Sequence, residues 1–442
     1  MSSPGWADAV VAGAPAEELE HLPLPDSFRA VVVRSDEADR WEGVPLPQRD
    51  PGQTLRVEEV DRPALAPDDV LVAVMASSIN YTTVWSALGY PASTFAFLRR
   101  LGPPHDLPYH VVGSDAAGVI LRAGAGVRRW RVGDHVVVNP SQVDTAEPEA
   151  HDDALLAPSQ RVWGYETNFG GLAELALVRA SQLLPKPAHL TWEEAGSLTL
   201  CASTAYRMLV GQHGARMKQG DVVLVWGATG GVGSFAVQLV LNGGGMPVGV
   251  VSSPAKAALL QRIGCEAVID RAAEGYRFWA DEHTPDQSEW RRFGARIREV
   301  AGVDPDIVVE HPGRETMGAS VYVTRRGGTV VTCAATSGYR LEIDNRHLWM
   351  RLKRIVGTQL ANLSEAAAMN TLVCRGRIHP TLAAVFPLDQ TAEAARAMYA
   401  NRHQGKLGVL CLAPSEGLGV TDMKRREQLW ERLHRFREGG PR

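Results

Sequence analysis

Val222-Val223-Leu224-Val225-Trp226-Gly227-Ala228-Thr229-Gly230-Gly231-Val232-Gly233 decides the fold of this 442-residue chain. An apolar, β-branched run feeds into a glycine-rich turn, and a helical pattern follows at Ser234-Phe235-Ala236-Val237-Gln238-Leu239-Val240. The order strand, turn, helix N-terminus is the opening unit of a dinucleotide-binding sheet. Glycines let the backbone approach a pyrophosphate, and the helix start offers free N–H groups and a positive dipole end.

The next strand, Pro247-Val248-Gly249-Val250-Val251, identifies the dinucleotide. A site for NAD places Asp or Glu at the end of that strand, on the ribose hydroxyls. Here the strand runs into Ser252-Ser253-Pro254-Ala255-Lys256, with no carboxylate to repel a 2′-phosphate and with two hydroxyls and an ammonium to hold one. The sequence therefore reads as an NADPH site. The same residues also read as a helix cap, with Ser253 at the N-cap and Pro254 at the first helical position. The two readings are compatible.

The length implies more than one domain. Hydrophobic residues make up 45% of the chain and charged residues 22%, ordinary for globular material, and the net charge of −4 argues against a dedicated nucleic-acid binder. No apolar run is long enough to cross a bilayer, and the N-terminus lacks a basic region followed by an apolar core, so no membrane partner or signal peptide is expected. Cys201, Cys265, Cys333, Cys374 and Cys411 are odd in number, widely spaced and without a CxxC pair. They fit free thiols in a reducing cytoplasm rather than a cysteine-rich zinc site.

Residues 1–26 read as an N-terminal helical arm ending at Pro23-Leu24-Pro25-Asp26. From Phe28 to Leu184, β-branched runs recur between Gly, Pro and Asp, at Ala30–Val33, Val70–Val74, Ala117–Ile120 and His135–Val138, which predicts an all-β module. From Thr191 to Leu360, strands alternate with helices as in a parallel sheet covered on both faces, with further strands at Glu266–Asp270, Asp306–Val309 and Gly328–Thr332. Ala272–Arg292 reads as a polar, aromatic-containing insertion. Val385–Leu388 and Leu407–Leu410 read as late strands returning to the β module, and 421–438 as a charged amphipathic helix that either covers a subunit contact or is solvated.

A β module, a dinucleotide domain and a return to the β module resemble the medium-chain dehydrogenase/reductase superfamily over nearly the whole chain. Where its zinc-dependent branch carries a Cys and a Gly-His-Glu motif, this chain reads Ser78-Ile79-Asn80-Tyr81 and Val112-Gly113-Ser114-Asp115-Ala116, so no catalytic zinc is expected. Four longer strings sharpen the likeness: residues 161–174 (RVWGYETNFGGLAE), 270–279 (DRAAEGYRFW), 310–316 (EHPGRET) and 403–406 (HQGK). Together they resemble the crotonyl-CoA carboxylase/reductases. The resemblance implies an α/β fold: an arm at 1–26, a GroES-like catalytic domain at 27–190, an NADPH-binding Rossmann domain at 191–360, and a return to the catalytic domain with a C-terminal helix at 361–442.

It also implies a reaction. NADPH gives hydride to the β-carbon of a 2,3-unsaturated acyl-CoA, and the resulting enolate captures CO2 at the α-carbon, giving an alkylmalonyl-CoA. A neutral gas can be positioned only by aligned donors in a snug pocket that excludes water. By resemblance, Asn80, Tyr165 and Glu166 form that pocket. The resemblance places a His in the stretch after Lys353–Thr358, and there this chain has Gln359, which hydrogen-bonds but does not titrate.

The cofactor contacts carried over are Gly227, Thr229, Gly230, Gly231 and Val232 for the pyrophosphate, Ser252, Ser253, Lys256 and Arg271 for the 2′-phosphate, Cys333 and Ala334 for the nicotinamide, and Lys406. On composition alone, Asn80 reads as a turn residue and Glu166 as a surface charge. Arg291-Arg292 and Arg351, Lys353 and Arg354 are candidates for the CoA phosphates or for a solvated face, and Tyr90–Tyr109 for shaping the acyl pocket. A homodimer or homotetramer is expected. The alternatives are an enoyl-CoA or quinone reductase without carboxylation, and a non-catalytic NADPH-binding protein.

Overall fold

The computed structural model describes residues 5–437. The outer ends of the expected arm and of the expected C-terminal helix lie outside the described residues.

Val222–Val225 is buried at every position, as a strand covered on both faces must be. It lies at the centre of a six-stranded parallel sheet in the order Ala267–Asp270, Met246–Val251, Val222–Val225, Ile307–Glu310, Thr329–Thr332, Arg354–Gly357. In chain order this is 3-2-1-4-5-6, the doubly wound arrangement that leaves a crevice beyond the carboxyl ends of the strands. The sixth strand, Arg354–Gly357, is half-polar and mostly exposed at the sheet edge, so its sequence lacks the apolar run that marks the other five.

The second sheet is built around Asp69–Ser78, whose ten residues are all buried. It pairs antiparallel with Ala117–Ala123, with Leu175–Arg179 and with Lys406–Leu410. The chain thus returns from the dinucleotide sheet to complete the first module, and Leu382–Pro387 extends it in parallel with Lys406–Leu410. In that pairing Gly408 faces Ser78 and Val409 faces Ser77.

Three expectations are corrected. The first module is not all-β: helices Tyr81–Leu88 and Phe95–Leu101 follow its central strand, the first beginning directly after the still-extended Asn80. Ala272–Arg292 is not a polar excursion. Tyr276, Phe278 and Trp290 are buried, and Phe278 and Tyr276 pack with Trp226 and Phe293, so the segment closes one face of the parallel sheet. Its helix begins at Gln287, where the Asp286 carboxylate accepts the N–H of Ser288 at 2.8 Å. The C-terminal helix Met423–Leu433 is solvated on its outer side only, and its inner side packs on its own chain: Leu429 and Leu433 are buried, and Arg426 meets the buried Glu194 at 2.7 Å.

Candidate active site

The glycine turn meets the steric demands of a pyrophosphate cradle. Gly227 has φ +52°, and a Cβ there would stand 2.8 Å from the His311 ring, whose Nε2 lies 2.9 Å from the Trp226 carbonyl. The Gly230 N–H donates to the Gly227 carbonyl at 2.8 Å, closing the turn. Helix Gly231–Asn242 follows, and its first N–H groups, those of Gly231 and Val232 included, have no intrahelical acceptor. Thr229 is buried beneath the turn, and its carbonyl accepts the N–H of Gly405 at 2.6 Å from the returning strand's approach.

At the end of Met246–Val251 the residues expected at a 2′-phosphate converge. The Lys256 ammonium lies 3.4 Å from the Ser252 hydroxyl and 3.1 Å from the Asn401 side-chain oxygen. Partial burial pushes its pKa down, which an added phosphate would reverse. Ser253 caps helix Pro254–Arg262 by accepting the Lys256 N–H at 3.4 Å, so its capping role is present. Arg271 stands beside this strand, its N–H on the Val251 carbonyl at 2.9 Å, while its guanidinium is held by Glu315 at 2.5 Å. Cys333 and Ala334 follow Thr329–Thr332 at the mouth of the crevice, and burial pushes the Cys333 thiol up to about 12, so it is not a nucleophile at neutral pH. The fit to NADPH rests on this cradle, on the unpaired helix N-terminus and on the hydroxyl–ammonium cluster where NAD would need an acid.

Across the crevice, Asn80 is buried at the end of Asp69–Ser78 and caps no helix with its side chain. Its Nδ2 donates to Asp115 Oδ2 at 2.8 Å, and its Oδ1 accepts from the Lys406 ammonium and faces the Cys201 sulfur at 3.5 Å. Lys406, expected as a cofactor contact, meets this site through Asn80. Its ammonium points into this cluster, and only its stem abuts the glycine turn, with Cδ 3.4 Å from where a Gly231 Cβ would be. Asp115 is the functional residue that sequence reasoning missed. It was read only as the failure of a zinc motif, and the fixed position of an acid among Ser78, Asn80 and Thr199 emerges only from the sheet register.

Tyr165 and Glu166 lie on the turn after Val162. The Glu166 carboxylate accepts the Val162 N–H at 2.8 Å; burial nonetheless raises its pKa, the hydrogen bond opposing. Burial raises the Tyr165 phenol well above its ordinary value, and the nearby Tyr339 adds to this. Tyr165 packs against Phe97, ring centroids 6.1 Å apart. Tyr81, Trp85, Tyr90 and Tyr339 then pack one on the next at 5.2 to 5.4 Å, the first two pairs tilted and the last stacked, an aromatic wall running from Asn80's neighbour to the dinucleotide domain.

Gln359 is exposed on the bridge back to the first module. The N–H of Thr358 just before it donates to the Thr332 carbonyl at 2.8 Å, and the carbonyl of Ala361 two residues after it accepts from Asn139 at 3.2 Å. Of the basic clusters, Arg292 is engaged by Glu289 at 2.7 Å, and Lys353 donates to the Val321 and Tyr322 carbonyls. Among the described residues, no group of three or more His, Cys, Asp or Glu is placed to hold a metal ion, and no helix is long and apolar enough to cross a membrane.

A β-rich module completed by a returning strand, set against a doubly wound NADP-type sheet, defines a medium-chain dehydrogenase/reductase. The alcohol dehydrogenase GroES-like domain model matches residues 66–188, and the zinc-binding dehydrogenase model matches 231–373. The chain is 56% identical over 431 residues to the crotonyl-CoA reductase of Streptomyces collinus, covering 96% of each protein. It is 40% identical to the crotonyl-CoA carboxylase/reductase of Cereibacter sphaeroides, over 81% of this chain and 84% of that one. A solved 2-octenoyl-CoA carboxylase reductase, CinF, in complex with NADP and 2-octenoyl-CoA, superimposes with a TM-score of 0.95 at 54% identity, over 98% of this chain and 99% of that one. The chain belongs to the crotonyl-CoA carboxylase/reductase family.

Proposed function

We propose that the crevice carries out NADPH-dependent reductive carboxylation of a 2,3-unsaturated acyl-CoA to an alkylmalonyl-CoA. NADPH, when bound, supplies the hydride for the β-carbon. The chain's own residues do the rest. Gly227, Thr229, Gly230, Gly231 and Val232 cradle the pyrophosphate; Ser252, Ser253 and Lys256 take the 2′-phosphate, joined by Arg271 if it leaves Glu315; Cys333 and Ala334 border the nicotinamide. Asn80 offers an amide N–H to a CO2 oxygen, so that the substrate enolate meets carbon dioxide before a proton. Tyr165, un-ionised, and Glu166 close the pocket, and the aromatic wall keeps water from the enolate. Gln359 stands at the rim as a hydrogen-bonding group without charge.

The observation that carries this reading is the opposition of Asn80, held in a buried polar cluster, to a glycine turn whose next strand ends in Ser252 rather than an acid. Incubation with crotonyl-CoA, NADPH and labelled bicarbonate tests it, with a C4-to-C10 enoyl-CoA series fixing the acyl length. Acid-stable label in a malonyl product is the expected result. Saturated acyl-CoA alone would assign plain enoyl reduction.

The division at residues 26, 190 and 360 is proposed with this function, as is a homo-oligomer. Among the described residues the edge strand Arg354–Gly357 has no neighbour on its outer side, and it is flanked by exposed Trp349, Met350 and Leu352, with Ile355 on it, an apolar edge suited to a second copy of the chain. Light scattering on the purified protein reads the copy number. The five cysteines form no disulfide, in keeping with the reducing cytoplasm proposed for the enzyme.

A further inference from the structure

The pairing of the returning strand with the central one has a consequence at its last step. Gly408 faces Ser78, and the Ile79 N–H donates to the Leu407 carbonyl at 2.9 Å, so the next residues outward, Lys406 and Asn80, come face to face. The Lys406 side chain is 1% exposed and that of Asp115 is 0% exposed. The ammonium donates to the Asn80 side-chain oxygen and to the Ile79 carbonyl at 3.1 Å, and lies 3.3 Å from Asp115 Oδ2. Asp115 is itself held rigidly. Its Oδ1 lies 2.7 Å from the Thr199 hydroxyl and accepts the Leu200 N–H at 2.8 Å, and its Oδ2 accepts the Ser78 hydroxyl at 2.8 Å.

An ammonium only donates and a carboxylate only accepts, so the Asn80 amide has one permitted orientation: oxygen on Lys406, nitrogen on Asp115. A flipped amide would oppose N–H to ammonium and oxygen to carboxylate among fully buried side chains. Of the two N–H groups, one is committed to Asp115 and one is left. We infer that Lys406 and Asp115 are positioning residues that hold the second amide N–H of Asn80 available to CO2, and so set the partition between carboxylation and plain reduction. The inference rests on the assignment of Asn80 made above. Neither Lys406 nor Asp115 is asked to touch the reacting atoms.

The test compares the wild type with Lys406→Met, Asn80→Ala, the double variant Asn80→Ala/Lys406→Met, and the charge-balanced Asp115→Asn/Lys406→Met. Each is assayed for label fixed per NADPH oxidised, for the KM for CO2, and for NADPH affinity by fluorescence. Losing a hydrogen bond to a charged group predicts that Lys406→Met shifts the product ratio toward plain reduction by roughly 10- to 100-fold and raises the KM for CO2. NADPH affinity is expected to stay unchanged.

The charge-balanced pair, whose fold does not depend on an isolated buried charge, is expected to show the same shift. In the Asn80→Ala background, Lys406→Met is expected to add nothing. A wild-type product ratio in either Lys406 variant would overturn the inference. So would a shift that adds to that of Asn80→Ala, or one that follows loss of NADPH affinity. The wild-type assay separates the two levels: without label there, the assignment of Asn80 fails; with label there and an unmoved ratio in the variants, only the positioning role fails.

Discussion

Tyr90 and Tyr339 stack across the crevice with ring centroids 5.4 Å apart and planes 29° from parallel, one ring carried by the first module and the other by the loop beyond Thr329–Thr332. This contact joins the two halves beside Tyr165, where the proposed function places the acyl thioester. An aromatic pair contributes about 0.5–1.5 kcal/mol beyond its buried area. Tyr339→Ala is therefore expected to raise the KM for acyl-CoA about 2- to 10-fold, and to increase plain reduction as water enters. Steady-state kinetics with C4 and C8 enoyl-CoAs, with product analysis, checks both effects.

Gly231 is fixed by a neighbour rather than by its own backbone angles. A Cβ there would stand 2.7 Å from Cys201 Sγ, inside any real contact distance. Overpacking of this kind costs about 1–3 kcal/mol. Gly231→Ala should weaken NADPH binding by about tenfold or more, and Cys201→Ala in the same chain should restore most of it. Fluorescence titration of the single and double variants reads the coupling.

The Lys256 ammonium meets the Ser252 hydroxyl at the strand end proposed to take the 2′-phosphate. Charge-assisted hydrogen bonds to phosphate are worth about 1.5–3 kcal/mol. Lys256→Ala is expected to raise the KM for NADPH about 10- to 100-fold while leaving weak turnover with NADH unchanged, as comparison of the two cofactors would show.

Glu310 is fully buried behind the turn. Burial pushes its pKa up to about 7, although Gly313, Thr316 and Ser320 donate to it. The unfolded chain releases this proton near 4.5, the folded one not until about 7. The protonated carboxyl's share of stability is thus full below 4.5 and is lost as pH rises to 7. The melting temperature of the wild type should fall relative to Glu310→Gln across that interval and run parallel to it above 7. Equal slopes from pH 4.5 to 7 would refute the shift.

The parallel sheet was legible because strands covered on both faces must be apolar throughout, and Val222–Val225 could not be much else. Arg354–Gly357 was not legible, because an edge strand need bury only one side and its residues read as a charged cluster. Ala272–Arg292 misleads because Tyr276, Phe278 and Trp290 are scattered without period, their burial decided by packing with Phe293 against Trp226, about fifty residues earlier in the chain. At the site, the glycine turn and the Ser252–Lys256 cluster are local and were readable. Lys406 stands out locally only as a candidate cofactor contact, and its position opposite Asn80 follows from a pairing between strands more than 300 residues apart, a separation no local pattern encodes.

Gly405 clasps the Thr229 carbonyl with its N–H, and the very next side chain reaches Asn80. The grip on the electron donor and the handling of the gas are thereby mounted on two consecutive residues. The first duty uses the backbone of Gly405 and the second the side chain of Lys406, so a lineage that abandons carbon fixation can change the side chain and keep its hold on the cofactor, and should show its changes first at this joint rather than at the acyl end.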